Sequence, residues 1–148
     1  MRILFLDHQG VMHLKKWTKK LPSLELFDSD SIFVLNQIIQ ETDCEIVVSS
    51  DWKLWTDLKG MQKFYTDQGI LKAPISYTPK YEIYDIRILP EQRSREIKGW
   101  IDQNPVNKWV SVDDLDMRPY LENFVFISDT SLGIKSEGVK DSIIGYLD

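Results

Sequence analysis

Carboxylates stand where apolar runs stop in this chain. Asp7 follows Ile3, Leu4, Phe5 and Leu6; Asp113 and Asp114 follow Trp109 to Val112, with Asp116 just beyond. A third apolar run, Glu45 to Val48, ends in Ser49 and Ser50. Short, nearly continuous apolar runs read as strands of a parallel sheet covered on both faces. In such a sheet ligands bind beyond the carboxyl ends of the strands, so the three runs are expected to deliver two sets of carboxylates and a pair of hydroxyls to one edge. Converging carboxylates repel unless a cation or protons compensate. Donors that are all oxygen suit a hard ion such as Mg²⁺, which takes one or two carboxylates together with water and phosphate oxygens. A carboxylate in that setting can attack phosphorus and form an acyl phosphate, while the metal and a nearby basic side chain offset the charge on the transferring group.

The intervening segments supply the elements that must hold these residues. Asp28 to Ser31 offer helix N-caps, and Ile32, Leu35, Ile38 and Ile39 recur at helical spacing up to about Thr42. Asp51 is expected to cap a further helix through Trp52, Trp55, Leu58, Met61 and Phe64, closing near Gly69. Residues 71–91, with Pro74, Pro79 and Pro90, read as a long loop or small insertion. Arg93 to Gln103 reads as a helix, Asn123 to Ile127 as a fourth strand, and Ser136 to Leu147 as a last amphipathic helix. Strands alternating with helices imply an α/β domain of three layers, with helices on both faces of a mostly parallel sheet and right-handed crossovers. No repeat or linker divides the sequence, so residues 1–148 are expected to form one domain.

Composition narrows the classes. With 43% hydrophobic and 28% charged residues, the chain is ordinary globular material rather than a disordered segment. A net charge of -5 disfavours long-range attraction to bulk nucleic acid. The run Leu14 to Lys20, with Lys15, Lys16, Lys19 and Lys20 around Trp17, could grip phosphates, but short basic runs are common on solvated faces. One cysteine, Cys44, permits no internal disulfide and fits a reducing cytoplasm. No stretch has the length needed to span a bilayer, and the first residues do not form a signal peptide.

At these same residues the sequence resembles the haloacid-dehalogenase-like (HAD) superfamily. ILFLDHQGV resembles its first motif, an apolar strand ending in Asp-x-Asp-Gly and then Thr or Val. EIVVSS resembles the second, RSREIKGWI the third, which carries a basic residue, and WVSVDD the fourth. The later FVFISDTSLGIKSEG, together with SSDWK and RSREI, is similar to a small-cap branch found in RNA-repair proteins. The resemblance implies a Rossmann-like HAD domain with little or no cap that uses Mg²⁺. Asp7 would be nucleophile and metal ligand, the backbone carbonyl of Gln9 a second ligand, and Asp113 and Asp114 the remaining ones. Ser49 or Ser50 would bind the phosphoryl group and Arg93 would neutralise it, with Arg95 and Lys98 in reserve.

Gln9 departs from the family pattern. Phosphatases of the superfamily use the second aspartate of Asp-x-Asp as general acid and base, and an amide can donate a hydrogen bond to a leaving oxygen but cannot protonate it. That help is typically worth about 10² to 10⁴ in rate. Three readings are open: a substitute acid (His8, His13 or Asp51), a restriction to substrates with good leaving groups, or lost catalysis with phosphate binding kept. The function expected is therefore a Mg²⁺-dependent phosphohydrolase or phosphotransferase of low or altered activity. The alternative is a degenerate module binding phosphate-bearing ligands, such as nucleic-acid ends, or a protein partner. A phosphoacceptor receiver domain is disfavoured, because its acidic pair should follow the first strand. Trp52, Trp55, Trp100 and Trp109 read as core, whereas Trp17, Tyr77, Tyr81 and Tyr84 fall in segments where base stacking is conceivable. Asp116 and Asp129 read as turn residues.

Overall fold

The computed structural model describes residues 1–15, 24–81 and 86–148. Lys16, Trp17, Lys19, Lys20 and Tyr84 lie outside the described residues.

Among the described residues, five strands form one sheet: β1 (Arg2–Leu6), β2 (Glu45–Val48), β3 (Ser76–Tyr77), β4 (Lys108–Asp113) and β5 (Phe124–Phe126). Their order is β3-β2-β1-β4-β5, and every pairing is parallel. Among the described residues, three α-helices connect strands, α1 (Ser29–Thr42), α2 (Leu58–Asp67) and α3 (Leu89–Asp102), and α4 (Val139–Leu147) follows the last strand. Because successive strand residues face opposite ways, the sheet feeds two separate cores. Leu4, Leu6, Ile46, Val48, Val110 and Val112 pack with buried residues of α1, α2 and α4. Ile3, Phe5 and Val47 pack on the other face with Ile97 and Trp100 of α3 and with Met117 and Leu121 from the segment after β4. This is the expected three-layer α/β arrangement.

Several boundaries differ from the sequence reading. The helix expected from Asp51 is two pieces: a 3-10 turn over Asp51–Leu54, capped by Ser50, and α2, capped by Asp57, whose side chain accepts from Gly60 N at 2.8 Å. The spacing of Trp52, Trp55, Leu58 and Met61 runs unbroken across the join, so the apolar pattern alone hides it. The segment 71–91 holds the edge strand β3, only two residues long, paired to β2 through Val47 and Ser76. It also holds the first turn of α3, which begins at Leu89 with Pro90 in that turn, where its missing N–H costs nothing. Arg93 thus lies in the second turn of α3 rather than at its start.

Candidate metal and phosphoryl site

The sheet register builds the site. In β1 and β4, Leu6 pairs with Val112, and the amide of Asp7 donates to Val112 O at 3.3 Å. Asp7 and Asp113 therefore leave adjacent strands side by side. On the other flank Leu6 pairs with Val48, and the amide of Ser49 donates to Leu6 O at 3.0 Å. The chain runs outward from β1 through β2 to β3, then returns to lay β4 on the opposite side. The junction of β1 and β4 is thus the topological switch point, where a crevice opens at the strand ends.

Asp7, Asp113 and Asp114 each turn one carboxylate oxygen toward a common point, and these oxygens lie within 4.8 Å of one another. Asp7 and Asp113 are buried. Arg93 reaches over from α3: its Nη1 donates to Asp113 Oδ2 at 3.1 Å and lies 3.6 Å from Asp7 Oδ1. Its Nη2 pairs with Asp51 Oδ1 at 3.1 Å. One guanidinium faces four neighbouring carboxylates, and the balance shows in their protonation. Burial, then repulsion from Asp113, pushes the Asp7 carboxyl well above the ordinary carboxylate range. Burial and the same neighbour push Asp114 up to about 6. Burial works against the charge on Arg93, but Asp113, Asp7 and Asp51 outweigh it and hold the guanidinium firmly protonated.

These residues fit a hard divalent ion. The donors are all carboxylate oxygens, their spacing approaches the roughly 4 Å that separates opposite ligands on one Mg²⁺, and the cluster has more negative charge than Arg93 offsets. A carboxylate whose folded pKa is raised makes the folded state bind extra protons, so its contribution to stability falls as pH rises through the window between the two pKa values. Asp114→Asn is accordingly expected to stabilise the metal-free protein over wild type, with an advantage that grows between about pH 4 and about pH 6. Denaturant titrations of both proteins across that range check it.

Gly10 explains how the loop after β1 stays clear of the cluster. It adopts φ +80, and a Cβ there would stand 2.6 Å from Asp114 Oδ2. Any larger residue would meet backbone strain and displace a member of the cluster.

The other residues singled out from the sequence separate clearly. Ser50 Oγ caps the 3-10 turn by accepting from Trp52 N at 3.2 Å. Ser49 Oγ is buried and has no hydrogen-bond partner among the described residues. Gln9 lines a cleft of about 310 Å³ together with Asp7, Ser50, Asp51, Arg93 and Asp114. Its Nε2 donates to Lys15 O at 3.0 Å, and its Oε1 is buried without a partner among the described residues. His8 lies in the core between Phe27, Trp52 and Tyr65, its Nε2 2.6 Å from the Tyr65 hydroxyl. Burial and Arg93 lower it to about 3, so it is neutral at physiological pH. His13 is buried beside Glu25 Oε2 and Leu26 O, against a different hollow. Arg95 pairs with Glu91 on the surface, and Lys98 borders a hollow with Trp109 and Tyr120. Asp116 and Asp129 accept from the amides of Arg118 and Ser131, as turn residues do. Trp52 and Trp100 are buried, yet Trp52 and the half-buried Trp55 also wall the cleft. The Tyr77 hydroxyl is spent on the carbonyls of Thr56 and Asp57, while Tyr81 is exposed.

Sequence reasoning overlooked Leu89 and Leu115, which complete the cleft wall, and gave no role to Lys53 of the SSDWK motif. The Lys53 ammonium is largely buried and donates to Thr78 Oγ1 at 2.9 Å and Glu96 Oε1 at 3.1 Å. Together with Arg93–Asp51 it gives two ion pairs that tie the turn after β2 to the face of α3 carrying Arg93.

A parallel sheet with acidic residues gathered at its switch point, a serine just beyond the neighbouring strand and an arginine brought in by a helix is the arrangement of a HAD-like domain. A family model agrees: the HAD domain in Swiss Army Knife RNA repair proteins matches residues 3–139, and the chain belongs to that family. No curated protein and no solved structure matches it. No helix among the described residues is long and apolar enough to cross a membrane.

Proposed function

We propose that the chain, acting as one HAD-like domain, is a Mg²⁺-dependent phosphohydrolase or phosphotransferase with Asp7 as nucleophile, restricted to substrates whose leaving group departs unaided. The observation that carries this reading is the approach of Asp7, Asp113 and Asp114 to a common point beside Arg93. Asp7, Asp113, Asp114 and the carbonyl of Gln9 would hold the ion. When bound, Mg²⁺ offsets charge on the phosphoryl oxygens and lets a carboxylate approach them.

The chain's own residues do the rest. Asp7 offers an oxygen to phosphorus from a fixed position at the strand end, and Arg93 turns a donor toward the same place. The unpartnered Ser49 hydroxyl supports a hydrogen bond to a phosphoryl oxygen, with Ser50 at the cleft rim. Gln9 cannot protonate the leaving oxygen, so phosphoanhydrides, acyl phosphates and aryl phosphates suit the site better than alkyl esters. Phosphorylated nucleic-acid ends or a phosphorylated protein are the partners that an open cleft admits. A buried, unpaired Cys44 suits a reducing cytoplasm.

The Gln9 side chain also favours a second reading. Its amide is turned onto Lys15 O, as in a loop that has ceased to serve chemistry, and the domain would then only bind phosphate-bearing ligands. Hydrolysis of para-nitrophenyl phosphate with and without Mg²⁺ separates the two. Mg²⁺-dependent release of nitrophenolate supports the enzyme. Phosphate binding by a folded protein that releases none supports the binding module.

A further inference from the structure

With Gln9 in the position of the family's acid and base, some other group must take the proton of the water that frees Asp7 from its phosphoryl group. We propose that Asp51 is that general base, and that it serves the hydrolytic half of the reaction alone. The proposal rests on the phosphohydrolase reading above.

The titratable side chains that line the cleft with Asp7, among the described residues, are Asp51, Arg93 and Asp114. Arg93 has no acceptor. Asp114 belongs to the cation cluster. The histidines that the sequence offers do not reach the cleft: His8 is enclosed by aromatic rings with its Nε2 on Tyr65, and His13 faces Glu25 and Leu26. Asp51 remains.

Its placement suits the task. It opens the 3-10 turn directly after Ser49 and Ser50, beyond the end of β2, the strand next to β1. Its side chain is 48% exposed, so water can reach it and a proton can leave it for solvent. The planar guanidinium of Arg93 presents Nη2 to Asp51 Oδ1 at 3.1 Å and Nη1 to Asp7 Oδ1 at 3.6 Å. A rigid fork thus spans the two carboxylates, and a phosphoryl group on Asp7 that contacts Arg93 lies between them. Arg93 meets Asp51 at Oδ1, and the half-exposed carboxylate stays open to water. A carboxylate can take a proton from water and has none to give a departing alkoxide.

The step balances. Asp51 takes a proton from water, and the water oxygen bonds to phosphorus. The bond from phosphorus to the Asp7 oxygen breaks with its electron pair returning to Asp7. Inorganic phosphate leaves, and Asp51 gives its proton to solvent.

The test follows label on the chain. Wild type, Asp51→Asn, Asp51→Glu and Asp7→Asn are mixed with radiolabelled para-nitrophenyl phosphate and Mg²⁺; uptake of label is timed, substrate is then removed, and loss of label is timed. Asp51→Asn should lose the label it takes up about 10² to 10⁴ times more slowly than wild type, the usual worth of general base help, a larger factor than any change in its uptake. Asp51→Glu should recover part of that loss rate. Label leaving Asp51→Asn as fast as wild type overturns the assignment. So does slowed uptake with unchanged release, which would make Asp51 only a positioning residue for Arg93. Failure of the underlying reading looks different: wild type takes up no label, or Asp7→Asn takes up as much, and the role of Asp51 then falls with it.

Discussion

Asp7→Asn is expected to abolish Mg²⁺-dependent phosphoryl transfer while making the metal-free protein more stable. The two effects share a cause. Asp7 stands at the strand end with its carboxylate almost out of water, beside Asp113 and close to Asp114. Burial and repulsion raise its pKa, so the ionised form that the proposed chemistry needs is the form that the fold resists. An amide of the same shape removes one charge from a cluster that, among the described residues, Arg93 pairs with. Sites strained for function commonly trade stability in this way. A gain on the order of 1 kcal/mol shifts the melting temperature of a domain this size by roughly 2–5 °C. The order should reverse on adding Mg²⁺: wild type gains stability by mass action and the variant gains little. Activity loss should exceed about 10³, since an amide is a far poorer nucleophile than a carboxylate. Activity assays and thermal melts with and without Mg²⁺ read both effects. Residual turnover within tenfold of wild type removes Asp7 as nucleophile.

Gln9→Asp should act in the opposite direction. It places a carboxyl group two residues beyond Asp7, in a loop that lines the same cleft. It also ends the hydrogen bond from Gln9 Nε2 to Lys15 O, freeing the side chain to turn toward a substrate. If the metal and phosphoryl residues are intact, turnover of alkyl phosphates, which need a proton on the leaving oxygen, should rise by about 10² to 10⁴. Aryl phosphates, whose leaving groups depart as anions, should gain far less. The diagnostic is therefore the dependence of rate on leaving-group pKa, steep in wild type and shallow in Gln9→Asp. An unchanged slope, with folding and Mg²⁺ binding preserved, means that proton transfer does not limit this site.

How much of this the sequence discloses depends on how local each feature is. The strands that carry the site are legible, because Ile3 to Leu6 and Val110 to Val112 are buried on both faces and need no alternation. Their carboxyl-end residues follow from the strand-end rule without knowledge of register. Helix α1 is legible through its Asp28 cap and the spacing of Leu35, Ile38 and Ile39. The break between the 3-10 turn and α2 is not, since Trp55, Leu58 and Met61 keep helical spacing across it; the overlooked signal was Asp57, three residues before the Gly60 amide it caps. β3 is two residues of edge strand, too short for any periodicity to register. Arg93 could be selected by its likeness to the family motif, but not its geometry, which depends on α3 starting at Leu89. Partnerships such as Arg93 with Asp51 and Lys53 with Glu96 join residues some 40 positions apart, and no local pattern encodes them. The isolation of His8 in an aromatic core was equally hidden, since its ring is placed by Phe27, Trp52 and Tyr65 from three different segments.

The most direct test is to grow crystals of the wild-type protein, soak them with Mn²⁺ as a stand-in for Mg²⁺ together with fluoroberyllate, and locate the metal by its anomalous scattering. The account predicts one metal bonded to oxygens of Asp7 and of the Asp113–Asp114 pair, with beryllium bonded to Asp7. An ordered, intact cluster that takes up neither, at concentrations that saturate other Mg²⁺-dependent phosphohydrolases, would contradict it.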